Sequence, residues 1–222
     1  NILRHEYKYL INIFEYEILK SRLKFIPKDS HCAKKGFYTV RSLYLEDLLG
    51  NSKFEKDSGI LNRNKFRFRT YNNSADHVLL EMKNKVGDLI QKKSIKLSKE
   101  LTVDLITDQR LLNATLQNEF QNLKYEIYQK TYIPKVIIQY NREAYATKDQ
   151  NNLRINFDKL ISSTLDTSLF FKNFTPQKFI TNSQKIVLEI KYTHYLPDHI
   201  QFLLNSLEKS RISFSKYANS IQ

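Results

Sequence analysis

Apolar and polar residues alternate with a period of two along much of this chain, the pattern of strands that bury one face. It predicts strands over residues 3–9, 36–46, 63–71, 77–86, 135–146, 153–158 and 185–192. Asn72, Asn73, Ser74, Ala75 and Asp76 supply a turn signal between two of these, and Asp149, Gln150, Asn151 and Asn152 supply another. Residues 51–64 carry Gly59 among mixed polar side chains and read as a loop.

Helical spacing interrupts the alternation in three places. Asn12 and Glu15 form a capping pair, and Phe14, Ile18, Leu19 and Leu23 follow at helical intervals. The longest helix is predicted over residues 107–130, where Leu112, Leu116, Phe120, Leu123 and Ile127 form a stripe. Pro197 stands where a first helical residue belongs, ahead of Ile200, Leu203, Leu204 and Leu207. From Ser210 onward the chain is polar and poorly patterned. Without repeats or a Pro/Ser-rich linker, residues 1–222 read as one strand-dominated α+β domain.

The charges sort by strand face. Lys65, Arg67 and Arg69 project together, opposite Phe66 and Phe68. Glu81, Lys83 and Lys85 share a face, as do Arg154, Asn156 and Asp158 against Leu153, Ile155 and Phe157. Glu189 and Lys191 oppose Leu188, Ile190 and Tyr192, and Glu6 and Lys8 oppose Tyr7 and Tyr9. Around Tyr140 and Arg142 the alternation is less clean, because Ile138 shares the parity of Arg142. A single half-exposed antiparallel strand shows such alternation with its charge in water. Repetition over five strands, with carboxylate and cation two apart in three of them, weakens that reading. With helices on the apolar faces, the sheet would curl its charged faces inward into an antiparallel barrel with a polar, basic lumen.

Composition narrows what such a lumen would hold. The formal charge is +13, and the 41% hydrophobic content is enough for a real core. Nucleic acid, an anionic membrane and phosphate-rich small molecules all fit that surplus. Four Gly and four Pro exclude collagen-like and low-complexity readings. One cysteine, Cys32, excludes an internal disulfide and a cysteine metal site, which points to a reducing, cytoplasmic compartment. No apolar run approaches the ~20 residues of a membrane-crossing helix. Starting at Asn1, the chain reads as a piece of a longer one. Arginine forks suit phosphate oxygens, and carboxylates among them either orient the cations or hold a divalent metal. There is no GxxxxGK[ST] loop, so a phosphate cradle here is not of the P-loop kind. His5, His31, His77, His194 and His199 are scattered and read as surface or structural; Cys32 reads as inert.

Eight short stretches, in order along nearly the whole chain, carry a family resemblance. They are Arg4-His-Glu-Tyr-Lys-Tyr9, Val40-Arg-Ser-Leu-Tyr44, Lys65-Phe-Arg-Phe-Arg-Thr-Tyr71, Leu80-Glu-Met-Lys83, Tyr140-Asn-Arg142, Leu153-Arg-Ile-Asn-Phe-Asp158, Leu188-Glu-Ile-Lys-Tyr192 and Ser215-Lys-Tyr217. Together they resemble the VTC domain, the polyphosphate polymerase domain of the vacuolar transporter chaperone family, within the triphosphate tunnel (CYTH-like) superfamily. The resemblance implies transfer of the terminal phosphate of ATP to a growing polyphosphate chain, with Mn2+ or Mg2+, inside a tunnel. It implies Lys8, Arg67, Arg69, Lys83, Arg142, Arg154 and Lys216 as phosphate-binding cations with catalytic roles. Lys65, Lys85, Tyr140, Lys191 and Ser215 would contact substrate, and Glu189 would be the metal carboxylate. It also implies ATP and polyphosphate as partners and no specific nucleic acid, and it leaves open a membrane-anchored full-length form or partner at the cytoplasmic face of a membrane. Tunnel triphosphatases carry ExExK on the first strand; here Lys8 stands at the place of the second Glu, which leans toward polymerase. A tunnel-type triphosphatase and a non-catalytic polyanion-binding domain are the competing readings.

Overall fold

The computed structural model describes residues 4–32, 34–50, 62–86, 89–149, 151–205, 207, 212 and 214–220. Its strands are β1 (His5–Asn12), β2 (Tyr38–Asp47), β3 (Asn62–Tyr71), β4 (Val78–Val86), β5 (Leu89–Leu97), β6 (Tyr132–Ala146), β7 (Arg154–Thr164), β8 (Lys178–Phe179) and β9 (Lys185–Tyr192). They form one sheet in the order β1-β9-β7-β6-β2-β3-β4-β5, with β8 attached to β7. Every pairing is antiparallel. The sheet curls into a half-barrel whose two edges meet where Arg4 and Ile90 exchange backbone hydrogen bonds of 3.3 and 3.2 Å.

The helices are α1 (Ile13–Arg22), α2 (Lys99–Thr107), α3 (Gln109–Glu119), α4 (Lys124–Lys130), α5 (Asp198–Asn205) and α6 (Lys216–Ser220). Two apolar layers hold the first five against the outside of the curl. Tyr16, Leu19, Ile200, Leu203 and Leu204 of α1 and α5 pack on Phe157, Leu188 and Ile190. Leu105, Leu112, Leu116 and Ile127 of α2–α4 pack on Phe66, Phe68, Leu80 and Met82. Covering both outer layers leaves only the inner face for the charged parity of the strands.

A third cluster lies inside the curl, where Val40, Tyr44, Val136, Ile138, Tyr140, Val187, Phe214 and Tyr217 meet. Ile138 therefore shares the parity of Arg142 because it belongs to this internal apolar plug. The C-terminal segment completes the plug: Ile212 donates its backbone N–H to Lys8 O at 3.0 Å. Phe214 and Tyr217 are buried beyond it.

Several expectations need correction. The capping box forms, with Glu15 N to Asn12 Oδ1 at 2.9 Å and Asn12 N to Glu15 Oε2 at 2.7 Å. Yet Phe14 and Ile18 are 78% and 50% exposed, and Tyr16 takes the inward position. The stripe from Leu112 to Ile127 faces the core, but not as one helix. Asp108 caps a fresh start by accepting from Arg110 N and Leu111 N, and Phe120 leaves helical geometry at φ −120°, ψ 57°. The unpatterned tail contains α6. Strand β5 and helix α2 escaped the pattern because β5 is partly or fully exposed along its length and α2 buries only Thr102 and Leu105. Strand β7 runs on past Asp158, and the pattern misses this because Leu160, at φ 52°, inserts a left-handed residue that inverts the parity. The expected loop at residues 51–64 lies outside the described residues up to 61, and 62–64 already belong to β3.

Candidate functional site

Register aligns the charged faces. Lys8 pairs with Glu189 across β1 and β9, Asn156 with Glu189 across β7 and β9, and Arg142 with Asp158 across β6 and β7. On the opposite wall Arg67 pairs with Glu81, and Lys83 lies between Lys65 and Lys92. An antiparallel sheet keeps directly opposed residues on one face, so these side chains converge in the lumen.

One group centres on three carboxylates. Glu6 takes Lys8 Nζ at 3.0 Å, Lys83 Nζ at 2.9 Å and Lys191 Nζ at 3.6 Å. Glu189 takes Arg142 Nη2 at 3.1 Å and Lys191 Nζ at 3.3 Å, with Lys8 Nζ at 4.0 Å. Asp158 receives a two-point fork from Arg142 at 2.7 and 2.8 Å, and Lys216 Nζ at 2.7 Å. Burial pushes the Glu6, Glu189 and Asp158 carboxyls up; the surrounding cations overcome it and hold all three below the usual carboxylate range.

A second group centres on Glu81, which is 1% exposed. Arg67 Nε and Nη2 both reach it at 2.8 Å, Arg69 Nη1 lies at 3.4 Å, and Lys92 pairs with its other oxygen. Arg67 Nη1 donates to the Tyr44 hydroxyl at 2.9 Å, and Arg69 Nε donates to Ser42 Oγ at 3.0 Å. Burial raises the Tyr44 phenol, but Arg67, Arg69 and Lys216 pull it down to about 7. Lys83 goes the other way from most buried ion pairs: burial, with Lys8 and Lys191 nearby, lowers it to about 8 despite Glu6.

Remaining expectations fall around these groups. Lys65 Nζ meets Ser215 Oγ at 3.5 Å and lies 5.0 Å from the Tyr217 ring centroid. Tyr140 lies beneath Arg142 and Lys216, at 5.2 and 4.8 Å from its centroid. Arg154 stands at one rim, bonded to Tyr38 and Asp29. Lys85 shares the strand parity of Lys83 and lies beside Ile90, near the edge closure. Lys92 and Tyr44 were missed as site residues. Lys92 sits on the unpredicted β5, and only its pairing with Lys83 reveals its face. Arg41, inside the Val40–Tyr44 stretch, points outward and holds the carbonyls of Leu169, Phe170 and Lys172. Cys32 is buried, and burial raises its thiol pKa, consistent with an inert role.

The lumen thus holds more cations than carboxylates, so an anion rich in oxygen would complete it. Among the described residues no cluster of three or more His, Cys, Asp or Glu could cage a metal, and no helix is long and apolar enough to cross a membrane. Glu6 and Glu189, which share Lys8 and Lys191, fit a divalent ion that takes one or two carboxylates and fills its other positions with water and phosphate.

A family model described as the VTC domain matches residues 3–222. No curated protein matches. The fold is similar to HpAC1 of Hippeastrum, described as having a dominant triphosphatase activity, with TM-score 0.55 and 11% identity over 98% of this chain and 94% of that one. A candidate adenylate cyclase from Bacillus halodurans gives TM-score 0.49 and 14% identity over 96% of this chain and 95% of the other. A Pyrococcus horikoshii protein gives 0.48 and 13% over 96% and 93%.

Proposed function

Because the chain belongs to the VTC domain family and has the triphosphate tunnel fold, we propose that it is a polyphosphate polymerase, moving the terminal phosphate of ATP onto a polyphosphate chain. The observation that carries this reading is the convergence of Lys8, Arg67, Arg69, Lys83, Arg142 and Lys216 in one lumen against few carboxylates. An ionised oxygen at the end of the chain bonds to the γ-phosphorus of ATP, and the bond from that phosphorus to the β–γ bridging oxygen breaks. The bridging electrons leave with ADP. The attacking oxygen is already ionised, so no general base is needed, and no histidine is assigned one. What the protein supplies is alignment of donor and acceptor along the tunnel and neutralisation of charge on the transferring group.

Arg67 and Arg69 would hold the transferring phosphoryl, with Lys65, Lys85, Lys191, Tyr140 and Ser215 aligning the flanking phosphates and Arg154 receiving phosphate at the rim. Glu189, assisted by Glu6, would hold Mn2+ or Mg2+. When bound, that ion would neutralise phosphate charge and orient the oxygens it touches. Incubation with ATP and Mn2+ tests the reading: long chains and ADP support it. Release of phosphate without chain growth would sink it in favour of a triphosphatase. Lys8 at the place of a second hydrolase carboxylate favours the polymerase.

The phenol at about 7 gives a pH prediction. Its low value depends on the pull of Arg67, Arg69 and Lys216. A phosphate chain cancels that attraction, raises the phenol pKa and drives proton uptake near neutral pH. Affinity for tripolyphosphate should therefore weaken as pH rises through about 7. Calorimetry in buffers of differing ionisation enthalpy measures the uptake, and Tyr44→Phe should reduce it. Identical uptake by wild type and Tyr44→Phe would remove Tyr44 from the linkage.

A further inference from the structure

The cationic lining ends in aromatic rings at one rim. Tyr38 opens β2 and Tyr71 closes β3, and the turn Ser30–Cys32 brings His31 beside them. Ring centroids lie 5.9 Å apart for Tyr38 and Tyr71, 5.7 Å for His31 and Tyr38, and 6.4 Å for His31 and Tyr71. Tyr38 is buried, Tyr71 half-buried and the His31 side chain 65% exposed, and with ring planes inclined by 54°, 37° and 65° the three make an angled cleft open on the His31 side.

Polar bonds tie these rings to the rim cation Arg154. Arg154 Nη2 donates to the Tyr38 hydroxyl at 2.9 Å and pairs with Asp29 Oδ2 at 2.9 Å. Asp29 Oδ1 meets His31 Nδ1 at 2.6 Å. Arg69 lies close enough to the Tyr71 phenol to pull its pKa down against burial. A phosphate held at Arg154 on the rim therefore has aromatic faces beside it, and a bare phosphate chain has nothing to stack on them.

We propose that Tyr71 and His31, floored by Tyr38, form a nucleobase-stacking subsite at the tunnel rim, seating the base of a nucleoside triphosphate whose phosphates enter the lumen. The inference rests on the phosphate-tunnel reading and adds where the nucleoside lies. Stacking accepts every base, because every base has a π-face. Asp29 has both oxygens engaged by His31 and Arg154. The rim thus distinguishes a nucleotide from inorganic polyphosphate more sharply than it distinguishes one base from another.

Equilibrium binding of ATP and of tripolyphosphate, both without metal, separates the two contributions. Tyr71→Ala should raise the Kd for ATP about tenfold, and His31→Ala should raise it less. Tripolyphosphate should stay within about twofold in both, because the stacking term is absent. Tyr71→Phe keeps the face and should bind ATP far better than Tyr71→Ala. His31 is exposed, so His31→Ala remains decisive should Tyr71→Ala fold poorly. Equal weakening for both ligands, or unchanged ATP binding in both alanine variants, would overturn the subsite. Failure of the tunnel reading looks different: the wild-type protein would bind neither ligand, which overturns both proposals.

Discussion

Arg67→Ala should lower kcat with ATP roughly 10²- to 10³-fold, with a smaller change in KM. The guanidinium is fixed from two sides, by two 2.8 Å contacts to Glu81 and a 2.9 Å bond to Tyr44. A donor held in place before substrate arrives needs no reorganisation as charge shifts during phosphoryl transfer, so its loss falls mainly on the transition state. Arg67→Lys should recover part of the rate, since it keeps the charge and loses the fork. The alanine variant should still fold, because Arg69 and Lys92 continue to neutralise Glu81. Steady-state kinetics with a thermal melt on the same sample tests both statements. A wild-type kcat in the alanine variant would make Arg67 a partner of Glu81 and nothing more.

How far the sequence discloses this site depends on how each residue reaches the lumen. Residues delivered by an unbroken alternating strand were legible: Lys65, Arg67 and Arg69 share a parity, and the register places all three on the inner face with Glu81 and Lys83. Parity alone cannot tell an inner face from a wet outer one. What decides it is the burial of Phe66, Phe68, Leu188 and Ile190 under helices on the other side. Where alternation fails, legibility fails with it. The left-handed Leu160 hides the second half of β7. Polar residues on both faces hide β5 and with it Lys92. Lys216 and Ser215 have no strand to announce them; they come from a segment that returns alongside Lys8, a contact between residues 206 apart. Their place was anticipated only through the family resemblance. The rim of His31, Tyr38 and Tyr71 unites three elements, and His31 alone read as an ordinary surface residue.

Arg142→Met should destabilise the fold by roughly 3–5 kcal/mol, because it removes one side of a buried ion network and leaves the other. Asp158 is fully buried and would keep only Lys216. Glu189 would lose its 3.1 Å contact and rely on Lys191 and the more distant Lys8. Adding Asp158→Leu and Lys216→Met to Arg142→Met removes the stranded charges as well, so the triple variant should be more stable than the single one. The pH dependence has a fixed sign. Asp158, Glu6 and Glu189 have folded pKa values below their unfolded ones. Their contribution is complete above the ordinary carboxylate range, near about 4, and is lost as pH falls through the depressed folded values. The wild-type melting temperature should therefore fall steeply in acid. Arg142→Met should begin lower and fall less steeply, since the attraction that depresses Asp158 is largely gone. Thermal melts of the three proteins from neutral pH into acid measure both effects. Coincident wild-type and Arg142→Met curves would show that Lys216 alone keeps Asp158 ionised, and the buried fork would then contribute geometry to the tunnel without stability.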